Sequence, residues 1–236
     1  MPHQPLQRTI DAYGGLGLWR NLQHVVLSLD SLGGPLLTMK GLGRTFISPN
    51  SVRVDPVRRI AEFHDYPQPG WRTIFNAGAI KMVDSASAAA LDQDRYRESF
   101  RGLKKYRRWS PADAAYFFGY ALTTYLAVPF VLCDYATEIR EWKGGLQVNA
   151  DFPPTFDTHS RRQRFWFDRN GLLVRQDYRA DVVGWWATGS HFTADYEIMS
   201  GLPVARRRDV YVRCLSAVTP IPVLSARLRP VEVKVG

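Results

Sequence analysis

The stretch AAYFFGYALTTYLAVPFVLC, residues 114–133, runs for 20 positions without a charged side chain. About 20 apolar residues are enough to cross a bilayer as a helix. Here, however, Tyr116, Tyr120 and Tyr125, two threonines and Gly119 interrupt the run, Pro129 breaks it, and no second hydrophobic span accompanies it. We therefore set a membrane span aside. A helix that is apolar all round is covered all round. Its start carries the expected signals: Ser110 as cap, Pro111 at the first position and Asp113 in the opening turn. The stretch is read as a helix over 111–126 that plugs the concave side of a curved sheet, its hydroxyls meeting strand residues or a ligand.

Outward from this helix the periodicity changes to that of strands. Before it come a short helix over 6–13, striped by Leu6, Ile10 and Tyr13 and stopped by Gly14 and Gly15, and then strands at 24–30, 36–47, 51–55, 58–64, 71–76 and 79–84. Gly33-Gly34-Pro35 and Asn76-Ala77-Gly78 read as turns. Residues 87–126 read as a helical interlude. After Cys133 strands return at 137–142, 146–150, 163–168, 172–180, 190–199, 204–215 and 223–235, with Asp168-Arg169-Asn170-Gly171 as a hairpin turn. With no internal repeat and no linker, the 236 residues read as one domain. The expected class is mainly β with α (α+β), an incomplete antiparallel β-barrel with an N-terminal helix and helices in its concavity.

Composition agrees with a packed domain: 45% hydrophobic, 22% charged and 13% aromatic. Cys133 and Cys214 are too few for a disulfide scaffold and lie in no zinc-ligand spacing, so no metal is expected. The first residues lack a basic start, an apolar run and a small-residue cleavage site, which predicts a cytoplasmic protein. A net charge of +9 favours acidic ligands, polyanions or anionic membrane surfaces. Nothing in the chain specifies an oligomeric state.

The order of parts, the segment Val128-Pro129-Phe130-Val131-Leu132 and the hairpin Asp168-Arg169-Asn170-Gly171 together resemble the bacterial lipoprotein-carrier half-barrel family. The resemblance covers most of the chain as topology and these two stretches as residues. It implies an open antiparallel barrel whose apolar concave face, lidded by helices, holds acyl chains or other lipidic ligands. The chain departs from the family in its N-terminus, which has no leader or lipidation cysteine, and in its wealth of Trp and Tyr. Carriage of lipoproteins is therefore not carried over.

Strand alternation gives a separate list of inward-facing residues. Over 172–181 the inner set contains Gln176 and Tyr178. Over 190–199 it contains Phe192 and Tyr196, with His191, Thr193, Asp195 and Glu197 outside. Gln163, Phe165 and Phe167 face inward on the preceding strand, Trp71 and Phe75 on an early one, and Tyr116 and Tyr120 on the helix. Sparse polar tips in an aromatic wall suit a ligand pocket. They also suit a closed core in which the tips bond one another. Outside, Arg175 and Arg179 are expected to face Asp195 and Glu197 across the strands.

Catalytic signatures are weak. His159 lies between Asp157 and Ser160, but no nucleophile elbow surrounds Ser160 and the segment reads as a loop. Glu138, Tyr178, His191 and Tyr196 are the remaining candidates, with Glu138 read as a possible buried carboxylate and His191 as a solvent-side imidazole. Gly14, Gly15 and Gly17 lack the Lys-Ser/Thr of a phosphate loop. The basic clusters Lys104–Arg108, Arg161–Arg164 and Arg206–Arg208 include aromatic neighbours Tyr106 and Trp109, yet no nucleic-acid module is present, so they read as solvated faces or head-group contacts. The leading expectation is binding of an apolar or polycyclic small molecule or lipid, without cofactor. The alternative is a cofactor-independent cyclase or isomerase acting on a polyene or polyketide-like substrate; the third is a membrane-surface or nucleic-acid-binding protein.

Overall fold

A computed structural model describes residues 4–42, 51–84, 89–214 and 217–236. Two short helices come first, α1 (Gln7–Ala12) and α2 (Gly15–Asn21), followed by strand β1 (Leu22–Gly33) and helix α3 (Pro35–Met39). A meander follows: β2 (Val52–Asp55), β3 (Ile60–His64), β4 (Trp71–Asn76), β5 (Ala79–Asp84) and β6 (Ala89–Gln93). Helices α4 (Pro111–Ala127) and α5 (Leu132–Tyr135) separate it from a second group: β7 (Ala136–Trp142), β8 (Gly145–Asp151), β9 (Arg162–Phe167) and β10 (Leu173–Arg179). The group ends with β11 (Thr188–Met199), β12 (Leu202–Cys214), the short β13 (Ala217–Val218) and β14 (Leu224–Val235).

All these strands form one antiparallel sheet in the order β6-β5-β4-β3-β2-β1-β14-β12-β11-β10-β9-β8-β7, with β13 paired to β12. The sheet does not close. The last strand of the chain joins the two groups, because β14 pairs with β1 on one side and β12 on the other. Helix α4 lies in the concavity, touching β2 to β5 on one arm while Tyr120 and Tyr125 reach His159, beside β9 and β10, on the other. The protein is an open β half-barrel with helices, as the sequence predicts.

The helix begins where its caps place it. Ser110 Oγ accepts from the Asp113 N–H at 3.2 Å and Asp113 Oδ2 accepts from the Ser110 N–H at 2.9 Å, a reciprocal pair that satisfies two otherwise orphaned donors. Pro129 follows its last turn. Among the described residues no helix is long and apolar enough to cross a membrane.

Several sequence expectations need correction. Gly14, at φ 88°, does stop the first helix, but a second begins at Gly15. Residues 35–39 form a helix started by Pro35 instead of a strand, since Gly34 at φ 126° turns the chain away from the sheet; residues 43–47 of that expected strand lie outside the described residues. The interlude before α4 contains strand β6 and two 3-10 turns, Tyr96–Ser99 and Gly102–Tyr106, because Arg95 and Gly102 both take left-handed φ values that a continuous helix cannot contain; residues 87 and 88 are not described.

The alternation on β11 also fails midway. Asp195 sits at φ 56° and makes no ladder pair with Arg206 opposite, although the pairs on either side keep one register. Around this irregularity the faces exchange, so Tyr196 shares a side with Thr193 and His191, not with Phe192. Phe192 lies on the convex side, edge-on to Tyr211 at 5.6 Å with the Arg175 guanidinium over its ring. Arg175 faces Phe192, not Asp195. The arginines pair along their own segment, Arg175 with Asp177 at 2.7 Å and Arg179 with Asp181 at 2.6 Å, while Glu197 and Asp195 meet Arg206 and Arg207 of β12.

Candidate functional site

The two flanks of α4 differ in chemistry. On the flank toward β4, β9 and β10, Tyr116 and Tyr120 are fully buried. Tyr116 packs on Phe75 with ring centroids 5.8 Å apart, and Gly119 lets the helix come that close: a Cβ there would stand 2.4 Å from Phe75 Cβ. The Tyr116 hydroxyl donates to Asp157 Oδ1, and Arg59 donates to the Asp157 carbonyl. His159 is held from three sides. Its Nδ1 is hydrogen-bonded to Tyr120 Oη at 3.2 Å, its Nε2 to Tyr125 Oη at 2.9 Å, and Tyr178 stacks on the ring at 3.8 Å. A neutral imidazole has one donor and one acceptor, and both are used. Burial, and next the nearby Arg97 charge, push the His159 pKa down to about 3. Gln163 donates to Thr158 Oγ1 at 2.9 Å and to the Ser160 carbonyl at 2.8 Å, and its Oε1 accepts from Gln176 at 2.6 Å. Phe165 and Phe167 complete this flank with no exposed surface.

The other flank is not filled. Between α4 and strands β1, β12 and β14 lies an apolar pocket of about 60 Å³, bordered by Phe117, Leu122, Leu27, Val210, Leu224 and Leu228 among others. A second, wider pocket of about 200 Å³ shares Phe117, Val210 and Leu224 with it and reaches the surface beside Met39 and Trp186. Met39 is 46% and Trp186 37% exposed, so the mouth is apolar.

Two polar side chains interrupt the inner pocket, His191 and Arg208. They are only 1% and 6% exposed. Among the described residues, neither ring nitrogen of His191 and neither Nε nor Nη1 of Arg208 has a hydrogen-bond partner. Each orphan of this kind costs about 1 to 3 kcal/mol. Both lie against Tyr125: the Arg208 guanidinium is 4.4 Å from its ring centroid and the His191 ring 4.7 Å. Burial, and then the charge of Arg208, hold the His191 pKa well below its usual value, so the imidazole is neutral at pH 7.

The sequence candidates fall on both flanks. His191 borders the inner pocket and Tyr178 the outer one. Phe75, Tyr116, Tyr120, Gln163, Phe165, Phe167 and Gln176 gather on the filled flank, and Trp71 is half-buried at its margin. Tyr196 lies apart, donating to the Leu173 carbonyl at 2.7 Å beside Tyr13. Two candidates stand corrected besides Phe192. His191 is buried, not solvent-facing, since its strand phase is that of Gln176 opposite. Glu138 is 40% exposed and bonded to Asn149 at 2.6 Å and to Arg140, so it is no buried carboxylate. Ser160 Oγ donates to the Arg162 carbonyl and accepts from the Arg179 N–H, so this hydroxyl is not directed at His159. The open flank itself was missed. Its signal was the phase of Arg208, two residues from Val210 and four from Val212, hidden inside the basic run Arg206–Arg208.

No family model matches the chain, and no curated protein is similar to it in sequence. Among solved structures it is similar to a LolA superfamily protein from Nitrosomonas europaea, with TM-score 0.47 and 8% identity over 98% of this chain and 94% of that one. It is also similar to a DUF1329 family protein from Desulfovibrio piger, with TM-score 0.42 and 10% identity over 98% of this chain and 93% of that one.

Proposed function

We propose that the protein binds an apolar small molecule or lipid in the cleft between α4 and strands β1, β12 and β14. The observation that carries this reading is a pair of neighbouring apolar pockets that share Phe117, Val210 and Leu224, the wider of them opening at Met39 and Trp186. Protein interiors are normally filled to crystal-like density, and unfilled apolar space forfeits dispersion contacts along its walls. A bound apolar molecule would restore them. The resemblance to lipoprotein-carrier half-barrels implies the same class of ligand. The sparse lining polarity fits small-molecule sites generally.

Nile red, a neutral dye whose emission shifts on leaving water, tests this directly. The expected result is saturable binding with a blue shift, lost in Val210→Trp, which fills the wall common to both pockets. Ala226→Phe, on the border of the inner pocket, serves as a second filling variant should the first fold poorly. Absence of saturable binding, or binding indifferent to both variants, would overturn the reading.

A further inference from the structure

The inner pocket places two hydrogen-bonding side chains in a wall that is otherwise apolar, and it leaves them without partners. Arg208 carries a full positive charge, with Nε and Nη1 both free of protein acceptors among the described residues. His191 presents a neutral ring with both nitrogens free. They stand on adjacent strands with their side chains on one face: Arg208 pairs with Thr193, two residues along from His191, and Val210 pairs with His191 itself. Tyr125 closes the space above them. A buried cation is ordinarily paired with an anion. Elsewhere in this protein that rule holds even for less buried arginines, such as Arg97 with Asp181 and Arg175 with Asp177. At Arg208 the described residues supply none.

We propose that the ligand supplies the anion. The geometry points to an apolar molecule with one compact anionic head, of which a long-chain carboxylate is the simplest form. The carboxylate accepts from Arg208 and from the imidazole N–H of His191, and the chain runs past Phe117 toward the mouth at Met39 and Trp186. The small inner pocket suits a head of two oxygens, and the wider outer pocket suits the tail. This inference rests on the apolar-ligand reading above and narrows it to a charged amphiphile, since charge-assisted hydrogen bonds in a dry site discriminate strongly against a neutral analogue.

The test is displacement of Nile red by dodecanoate, by dodecanol and by methyl dodecanoate, which share the tail and differ at the head. In the wild-type protein dodecanoate is expected to displace the dye at about tenfold lower concentration than either neutral analogue. Arg208→Met is expected to abolish that preference while retaining dye binding, and His191→Leu to reduce it. A second measurement needs no variant: the carboxyl resonance of bound 1-13C-dodecanoate should stay at its ionised position at pH values where the free acid is protonated. Equal displacement by all three compounds, a preference that survives in Arg208→Met, or a bound carboxyl protonated at or above the pH of the free acid would each overturn the inference while leaving apolar binding intact. Failure of Nile red to bind the wild-type protein would overturn both.

Discussion

Both flanks of α4 set a few polar tips in an apolar wall, aromatic on one side and largely aliphatic on the other, and they reach opposite results. Toward β9 and β10, the tips of Tyr116, Tyr120, Gln163 and His159 end on one another or on side-chain and backbone oxygens of 157–160, and the rings fill the space between. Toward β12 and β14, His191 and Arg208 lie against the Tyr125 ring, but both ring nitrogens of the one and Nε and Nη1 of the other lack a hydrogen-bond partner among the described residues, and the space beside them is open. Sparse polarity in an aromatic wall is therefore no sign of a pocket by itself. What separates a pocket from a core is whether the polar groups are already satisfied.

Truncation gives the largest contrast. Phe165→Ala is expected to lower unfolding free energy by about 3 to 5 kcal/mol in urea, because it opens a void in a filled region. Leu29→Ala, on the open flank and half-buried, is expected to cost less than half of that, since it enlarges existing space. Equal losses would break the distinction.

Acid acts next, through His159 on the filled flank and, by the same linkage, through His191 on the open one. His159 has a folded-state pKa near 3 against 6.5 when exposed, so below 6.5 the unfolded chain binds the proton more readily and stability falls with pH until the folded value is reached. At pH 5 this amounts to about 2 kcal/mol. His159→Gln is expected to be less stable at pH 7 but to show a shallower decline between pH 6.5 and 4 in denaturant titrations. Parallel curves for the two proteins would show that His159 does not set the slope.

Hydroxyl deletion is a smaller lever. Tyr196→Phe removes one of two hydroxyl donors to the Leu173 carbonyl, which still accepts from Thr193, and should lower stability by about 0.5 to 1.5 kcal/mol, visible as a drop of a few degrees in Tm. Last, Arg208→Met is expected to leave stability unchanged or to raise it, because it removes buried donors that lack a hydrogen-bond partner among the described residues and strands none. A loss as large as that of Phe165→Ala would mean that Arg208 is a structural ion.

Much of the architecture was legible in the chain. The caps at Ser110, Pro111 and Asp113 located α4, and the uncharged run identified it as covered on all sides. Alternation found both meanders. What alternation could not carry was the single left-handed residue Asp195, after which the inner face passes from odd to even positions and Phe192 and Tyr196 part company. The site was harder. Alternation carried unbroken through Asp195 places His191 outside, and the run Arg206–Arg208 reads as a solvated face, while the burial of both is decided by the actual strand phase and by Tyr125, a residue more than 60 positions away. The filled flank supplied most of the expected wall because its aromatic content dominates any reading of composition.

An unclosed sheet also has consequences for how the chain behaves among its own copies. Strands β6 and β7 end the strand order, so each presents a row of backbone donors and acceptors to any other extended segment. On β7, Glu138, Arg140 and Glu141 fall within a seven-residue strand, and Lys143 turns the chain just after it; on β6, Asp92 is held by Lys81 at 3.2 Å. Adding a further strand would force these charges against a neighbour and strip water from them. The rims are thus guarded against templated polymerisation, which lets the half-barrel stay open without inviting growth.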